Sequence, residues 1–142
     1  MPTQCIFCNI INGTIPAHKV YEDNDVIAFL DINQTTNGHT LVLPKSHFDH
    51  FLNTPKAQMN LVMNVAQRIG QAQIQVLHAK GVNILSNVLQ AAGQTVLHFH
   101  VHVIPRYEAN DRFKIEMLKH DQHNLLNLPV LANQLKSGIN LK

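Results

Sequence analysis

The sequence predicts an α+β fold, an antiparallel sheet built around one long helix. Two observations carry this. Four short segments rich in β-branched and aromatic residues are separated by Gly, Pro and Asn turn signals. Residues 55–80 instead repeat apolar side chains at helical spacing. Strands and helices do not alternate in the way a parallel sheet requires.

The elements follow in order. "VIAFLDI", residues 26–32, is the first clear strand. "NQTTNG" comes next and ends on the turn pair Asn37-Gly38. "HTLVLP", residues 39–44, is the second strand, closed by Pro44, so the two form an antiparallel hairpin with a slightly long loop. In the helix, Leu61, Val62, Val65, Ile69, Ala72, Val76 and Leu77 mark the apolar stripe. Thr54 reads as its N-cap, Pro55 as its first residue and Gly81 as its stop. "VNILSN" is a short third strand, Gly93 turns the chain, and "VLHFHVHVIP", residues 96–105, is a long strand ending at Pro105. "LPVLANQLKS", residues 128–137, reads as a short helix. No repeat or linker interrupts residues 1–142, which therefore read as a single domain.

Composition narrows the function classes. With 142 residues, 45% hydrophobic and 14% charged, the chain can bury a core without disulfides. The sparse charge suggests a surface partly covered by a second copy. A net charge of +2 with no basic run argues against nucleic acid. There is no apolar run long enough for a membrane span and no secretory signal pattern, so the expectation is a cytoplasmic protein.

The ten histidines are the compositional oddity. His98, His100 and His102 alternate in "LHFHVHVIP". In a strand they share one face with Val96 and Ile104, while Leu97, Phe99, Val101 and Val103 point into the core. Same-face neighbours lie roughly 6–7 Å apart, so the outer two are about 13 Å apart. One metal held by all three is thus disfavoured, and division of labour is expected. A neutral imidazole is a nucleophile and base near pH 7, provided an acceptor fixes its other nitrogen. The middle histidine suits that role.

"HFHVHVI" resembles the histidine triad (HIT) family, in particular its Hint-like bacterial branch. "CIFCNIINGTIPAHKVYEDNDVIAFLDINQTTNGHTLVLPKSH" and "AAGQTVLHFHVHVIPR" extend the likeness from about Cys5 to Arg106, leaving the tail after Tyr107 unassigned. The resemblance implies a five-stranded antiparallel sheet with one long helix, continuous across a homodimer. It implies cleavage of purine nucleoside phosphoramidates, or related nucleotidyl conjugates, at the α-phosphate. His100 would be the nucleophile, with His102 and Thr95 on the α-phosphate. Gly93, Gln94 and Asn87 would line the phosphate end, and Asp31 would take the ribose hydroxyls. Ile6, Phe7, Ile10, Phe29 and Ile32 would form the base slot. Val88 and Leu89 depart from relatives, which carry polar or glycine residues there, and put the leaving-group preference in doubt.

Cys5 and Cys8 form a C-x-x-C, a spacing used for metal or redox chemistry. The resemblance adds His47 and His98 and so implies a structural Cys₂His₂ zinc site, with no organic cofactor. A reduced thiol pair is the competing reading. A redox motif would sit at a helix start after a strand, whereas this pair lies a few residues from the N-terminus. His18, His39, His50, His78, His120 and His123 read as solvated or structural. The alternative to an enzyme is a non-catalytic nucleotide-binding module stabilised by zinc.

Overall fold

The computed structural model describes residues 4–122 and 126–139; His123 lies outside them. Its elements are α1 (Ile6–Ile11), β1 (Lys19–Glu22), β2 (Val26–Leu30), β3 (Thr40–Pro44), α2 (Lys56–Leu77), β4 (Gly81–Leu85), β5 (Val101–Arg106) and α3 (Leu128–Ile139). The five strands form one antiparallel sheet in the order β1-β2-β3-β5-β4. The α+β expectation is met, and so is the helix near the C-terminus. β1 and α1 are additions that the residue pattern did not single out. No helix among the described residues is long and apolar enough to cross a membrane.

Both faces of the sheet are packed. On one, Val62, Val65, Ala66 and Ile69 of α2 meet Val26, Ala28, Val42, Phe99, Val101 and Val103. On the other, Phe7 and Ile10 of α1 cover Ile27, Phe29, Leu41 and Leu43. Register links the faces to the strands. Leu41 pairs with His102 across β3 and β5, so both side chains lie on the α1 face, while Thr40 and Val103 lie on the α2 face.

Three sequence expectations are corrected. The buried stripe of α2 is Val62, Val65, Ala66, Ile69, Gly70 and Gln73; Leu61, Ala72, Val76 and Leu77 are exposed on its flanks. Thr54 does not cap α2. Its backbone is extended and its hydroxyl donates to His50 O (2.8 Å), leaving Pro55 as the boundary residue. The helix stops before Gly81, at His78, which takes the left-handed conformation (φ 60°).

The long last strand is also shorter than expected. Its ladder with β3 ends at Val42 opposite Val101. Pro44 has no N–H to extend it. The Phe99 amide donates instead to Phe48 O (2.6 Å), and the His98 amide to Val96 O (2.9 Å). Residues 96–100 therefore leave the sheet as an irregular approach to β5. The alternation persists for the histidines and for Phe99, but Leu97 is 53% exposed instead of reaching the core.

The loop between β2 and β3 is held from the α2 side. Gly38 has φ 104°, and a Cβ there would lie 2.5 Å from Leu77 Cδ1. Gln73 is buried mid-helix, and its Nε2 donates to Gly38 O (2.9 Å) and Val103 O (3.0 Å). Helix, turn and β5 are thereby fixed to one another where His39 enters β3.

Candidate active site and metal centre

His98, His100 and His102 project toward α1, and each has a different polar partner. Phe7 of α1 meets His100 edge-on at a ring-centroid distance of 5.0 Å and Phe29 at 5.6 Å. His98 and His100 are buried. The face that the alternation suggested to be a bare row of imidazoles is therefore a packed one.

The hydrogen bonds set the tautomers. His100 Nδ1–H donates to His98 O (2.7 Å), so Nε2 keeps its lone pair. The His100 carbonyl is itself held by the Ser86 hydroxyl (2.8 Å). Burial lowers the His100 pKa, partly opposed by the bond to His98 O and by Asp31, which favours the neutral, nucleophilic imidazole. His102 takes the opposite tautomer. The Thr35 amide donates to His39 Nδ1 (3.4 Å), so the His39 proton sits on Nε2 and is donated to His102 Nδ1 (2.9 Å). That leaves His102 with N–H at Nε2, a donor suited to an oxyanion. Burial, together with His100 and His39, pushes the His102 pKa down to about 4.

His39 is the residue that sequence reasoning missed. It is buried, with its Nε2 3.7 Å from Asp31 Oδ2. The usable signal was the hairpin: a histidine at the start of β3 falls beside the end of the triad once β3 pairs with β5. Asp31 follows β2 and is partly buried, its Oδ1 accepting the Asn33 amide (2.8 Å).

The remaining candidates divide into three groups. Phe7, Ile10 and Phe29 are buried together on the α1 face, and Ile6 is half exposed. Ile32 is 85% exposed and stands apart from that cluster. Gln94 is buried and its polar atoms are spent on the backbone: Nε2 donates to Asp49 O (2.7 Å) and Val96 O (3.0 Å), and Oε1 accepts the Leu89 amide (2.8 Å). It braces the turn. Thr95 is exposed beside it, Gly93 turns at φ 94°, and Asn87 Nδ2 donates to Gly93 O (3.4 Å). Leu89 has φ 69° and ψ 165°, a region that L side chains rarely occupy. This gives a physical reason for glycine to suit that position.

Cys5, Cys8, His47 and His98 place one donor atom each within 4.8 Å of one another. Cys5 Sγ lies 3.5 Å from His98 Nδ1, and Cys8 Sγ lies 3.6 Å from His98 Nδ1 and 3.3 Å from His47 Nδ1. Tetrahedral zinc, with Zn–S of about 2.3 Å and Zn–N of about 2.05 Å, sets S···N at about 3.6 Å. The far nitrogens are anchored as metal-ligating histidines require. His98 Nε2–H donates to Pro44 O (2.9 Å) and His47 Nε2–H to Asp49 Oδ1 (3.1 Å). Without a cation, burial and the neighbouring Cys5 push the Cys8 thiol up to about 11. The donor set fits zinc, which would hold α1, the loop after β3 and the approach to β5 at one point. Cys5 also caps the start of α1, its Sγ accepting the Cys8 amide (3.4 Å), so the pair does stand at a helix start, although no described strand precedes it.

A histidine row on an antiparallel sheet, with a nucleophilic lone pair, a donor imidazole and a Cys₂His₂ cluster, defines the class of histidine-triad proteins. The HIT domain profile matches residues 12–109, and the chain belongs to the HIT family. Protein hit of Bacillus subtilis is 45% identical over 77% of this chain and 75% of its own length. The adenylylsulfatase HINT3 of Arabidopsis thaliana is 34% identical over 98% and 69%. Among solved structures, a HIT family protein from Bacillus anthracis superposes with a TM-score of 0.88 at 42% identity, over 97% of this chain and 96% of that one. A zinc-bound histidine triad protein from Mycobacterium smegmatis gives 0.74 at 38%, over 95% and 97%. A histidine triad nucleotide-binding protein from Candida albicans gives 0.81 at 28%, over 95% and 96%. The family thus includes a protein named an adenylylsulfatase and one named a nucleotide-binding protein.

Proposed function

We propose that the protein cleaves nucleotidyl conjugates at the α-phosphate, purine nucleoside phosphoramidates among them, through a covalent nucleotidyl-His100. The observation that carries this reading is the fixed tautomer of His100: Nδ1–H is bound to His98 O and Nε2 is bare. The relative named a nucleotide-binding protein supports a nucleotide substrate, and the one named an adenylylsulfatase supports an adenylyl group in it.

In the first step the His100 Nε2 lone pair attacks the α-phosphorus, and the bond from phosphorus to the leaving group breaks, a departing amine taking up a proton from solvent. The His102 Nε2–H donates to a phosphate oxygen as charge builds there. The 93–95 turn offers Thr95 and backbone amides to the same group. In the second step water attacks phosphorus and releases a proton to solvent, the P–N bond breaks, and nucleoside monophosphate departs with His100 restored as the neutral imidazole. Asp31 holds the ribose hydroxyls, and Phe7, Ile10 and Phe29 hold the base by burial and stacking. Cys5, Cys8, His47 and His98 hold zinc in a structural role. A thiol pair kept for zinc suits a reducing compartment, and we place the protein in the cytoplasm.

The active unit in this reading is a homodimer. β4 is a sheet edge, and beside it Met63, Gly70 and Ile74 of α2 with Val82 and Ile84 line an apolar hollow of about 300 Å³. Pairing across that edge would continue the sheet into a second copy.

Rapid quench of turnover followed by intact-mass measurement tests the chemistry. A nucleotidyl adduct is expected, absent from His100→Asn. If no adduct is trapped and His100→Asn still cleaves substrate, the proposal is wrong; nucleotide binding without turnover in the native protein would identify a non-catalytic module.

A further inference from the structure

We propose that His98, and a chain of bonds from His47 through Asp49 to Gln94, couple the cysteine cluster to catalysis, so that a metal held there fixes the aim of His100 and the shape of the 89–96 turn. The inference rests on the proposed role of His100. His98 is fully buried, and each of its polar groups is engaged. Nδ1 faces both thiols, 3.5 Å from Cys5 Sγ and 3.6 Å from Cys8 Sγ. Nε2–H donates to Pro44 O (2.9 Å) and the amide to Val96 O (2.9 Å). The carbonyl accepts the His100 Nδ1–H (2.7 Å), so a donor of the cluster is also the residue that sets the tautomer of the nucleophile. Residues 96–100 lie outside the sheet ladder, so that carbonyl is not oriented by a strand partner. A ring tied at both nitrogens orients it instead, by holding the side chain in one rotamer. With thiols alone at Nδ1 the tie is weak, because S–H is a poor donor; a metal bond makes it firm.

The second arm starts at His47, whose Nδ1 lies 3.3 Å from Cys8 Sγ. Its Nε2–H donates to Asp49 Oδ1 (3.1 Å), and Asp49 O accepts from Gln94 Nε2 (2.7 Å). Gln94 spends its other bonds on the Leu89 amide and Val96 O, so it ties both ends of the turn to the cluster. His98, Asp49 and Gln94 act through other residues and are positioning residues. Partners of metal ligands at this remove typically carry effects of about 10- to 100-fold.

The test compares the protein carrying Zn²⁺, the larger Cd²⁺ and no metal, each checked for folding by circular dichroism. Nitrogen-15 NMR of the His100 ring reports its tautomer without substrate, and hydrolysis of an adenosine phosphoramidate gives kcat and KM. With zinc, His100 should show the Nδ1–H form alone. Without metal the Nε2–H form should appear, and kcat should fall at least about tenfold with KM changed less than about threefold. Cd²⁺ should move the His100 Nδ1–H signal in a folded protein, so the comparison stands even if the metal-free chain unfolds. Asp49→Ala, which breaks the second arm and leaves the cluster's donors in place, should lower kcat with zinc bound. Asp49→Asn, which keeps an acceptor for His47, should recover it. A His100 signal identical with Zn²⁺ and Cd²⁺ and in folded metal-free protein, or a kcat that tracks only the folded fraction, overturns the coupling. Full kcat in zinc-bound Asp49→Ala overturns the second arm. If the native zinc protein cleaves nothing, the nucleotide reading fails by itself, and the ring signals still decide the coupling.

Discussion

Replacing His39 by Phe tests whether a residue outside the triad sets the triad's chemistry. The ring volume is nearly kept, but the Nε2–H that fixes His102 is lost. His102 Nδ1 then lacks its donor in a largely buried position. A net hydrogen bond of about 1 kcal/mol, rising to about 3 kcal/mol for an unsatisfied buried group, bounds the effect. At about 1.4 kcal/mol per tenfold, that is roughly 5- to 150-fold in rate. The loss should fall on kcat, with KM changed less than about threefold, because the donor matters most where charge develops on phosphate. Steady-state hydrolysis of a fluorogenic adenosine phosphoramidate measures both constants. His39→Gln keeps an N–H near the same place and should recover part of the rate. If folded His39→Phe retains kcat within twofold, or if Gln does no better than Phe, the tautomer argument fails.

Other predictions follow from single sites. Leu89→Gly trades strain of about 1–3 kcal/mol against a glycine entropy cost of about 0.5–1 kcal/mol, a net gain of about 0–2.5 kcal/mol, so Tm should hold or rise by up to roughly 8 °C; a fall would contradict the backbone reading. Gly38→Ala meets Leu77 Cδ1 at 2.5 Å and φ 104°, and should cost about 1–3 kcal/mol in denaturant titration, together with activity as His39 shifts. Removing metal should lower Tm by several degrees or more, and Co²⁺ put in its place should show thiolate charge-transfer absorption; purified protein without zinc and without that absorption would reject the cluster. The metal-free protein should lose stability as pH falls from 6.5 to about 4. His98 and His102 hold folded pKa values of about 4 against an ordinary 6.5, so the unfolded chain binds protons first, and stability present above 6.5 drains away across that window. Thermal melts in that range that hold flat or rise would refute this.

Much of the fold was legible because hydrophobic period is a local property. The β2–β3 hairpin and the existence of α2 follow from spacing and turn residues, and the period of two put His98, His100 and His102 on one side. Errors came where local signals competed with partners distant in sequence. Thr54 looks like a cap until His50 O claims its hydroxyl. The last strand looks continuous until Pro44 ends the ladder it needs. Leu61 and Val76 look buried, but the sheet selects the stripe through Ala66, Gly70 and Gln73.

The sequence by itself determined that three imidazoles alternate beside a C-x-x-C, because a strand's period and a motif's spacing are written in adjacent residues. Only the tertiary structure decided what each imidazole does. A histidine's role depends on which nitrogen holds the proton, and that is set by acceptors and donors from elsewhere in the chain: Pro44 O for His98, the bent approach for His100, and His39 for His102.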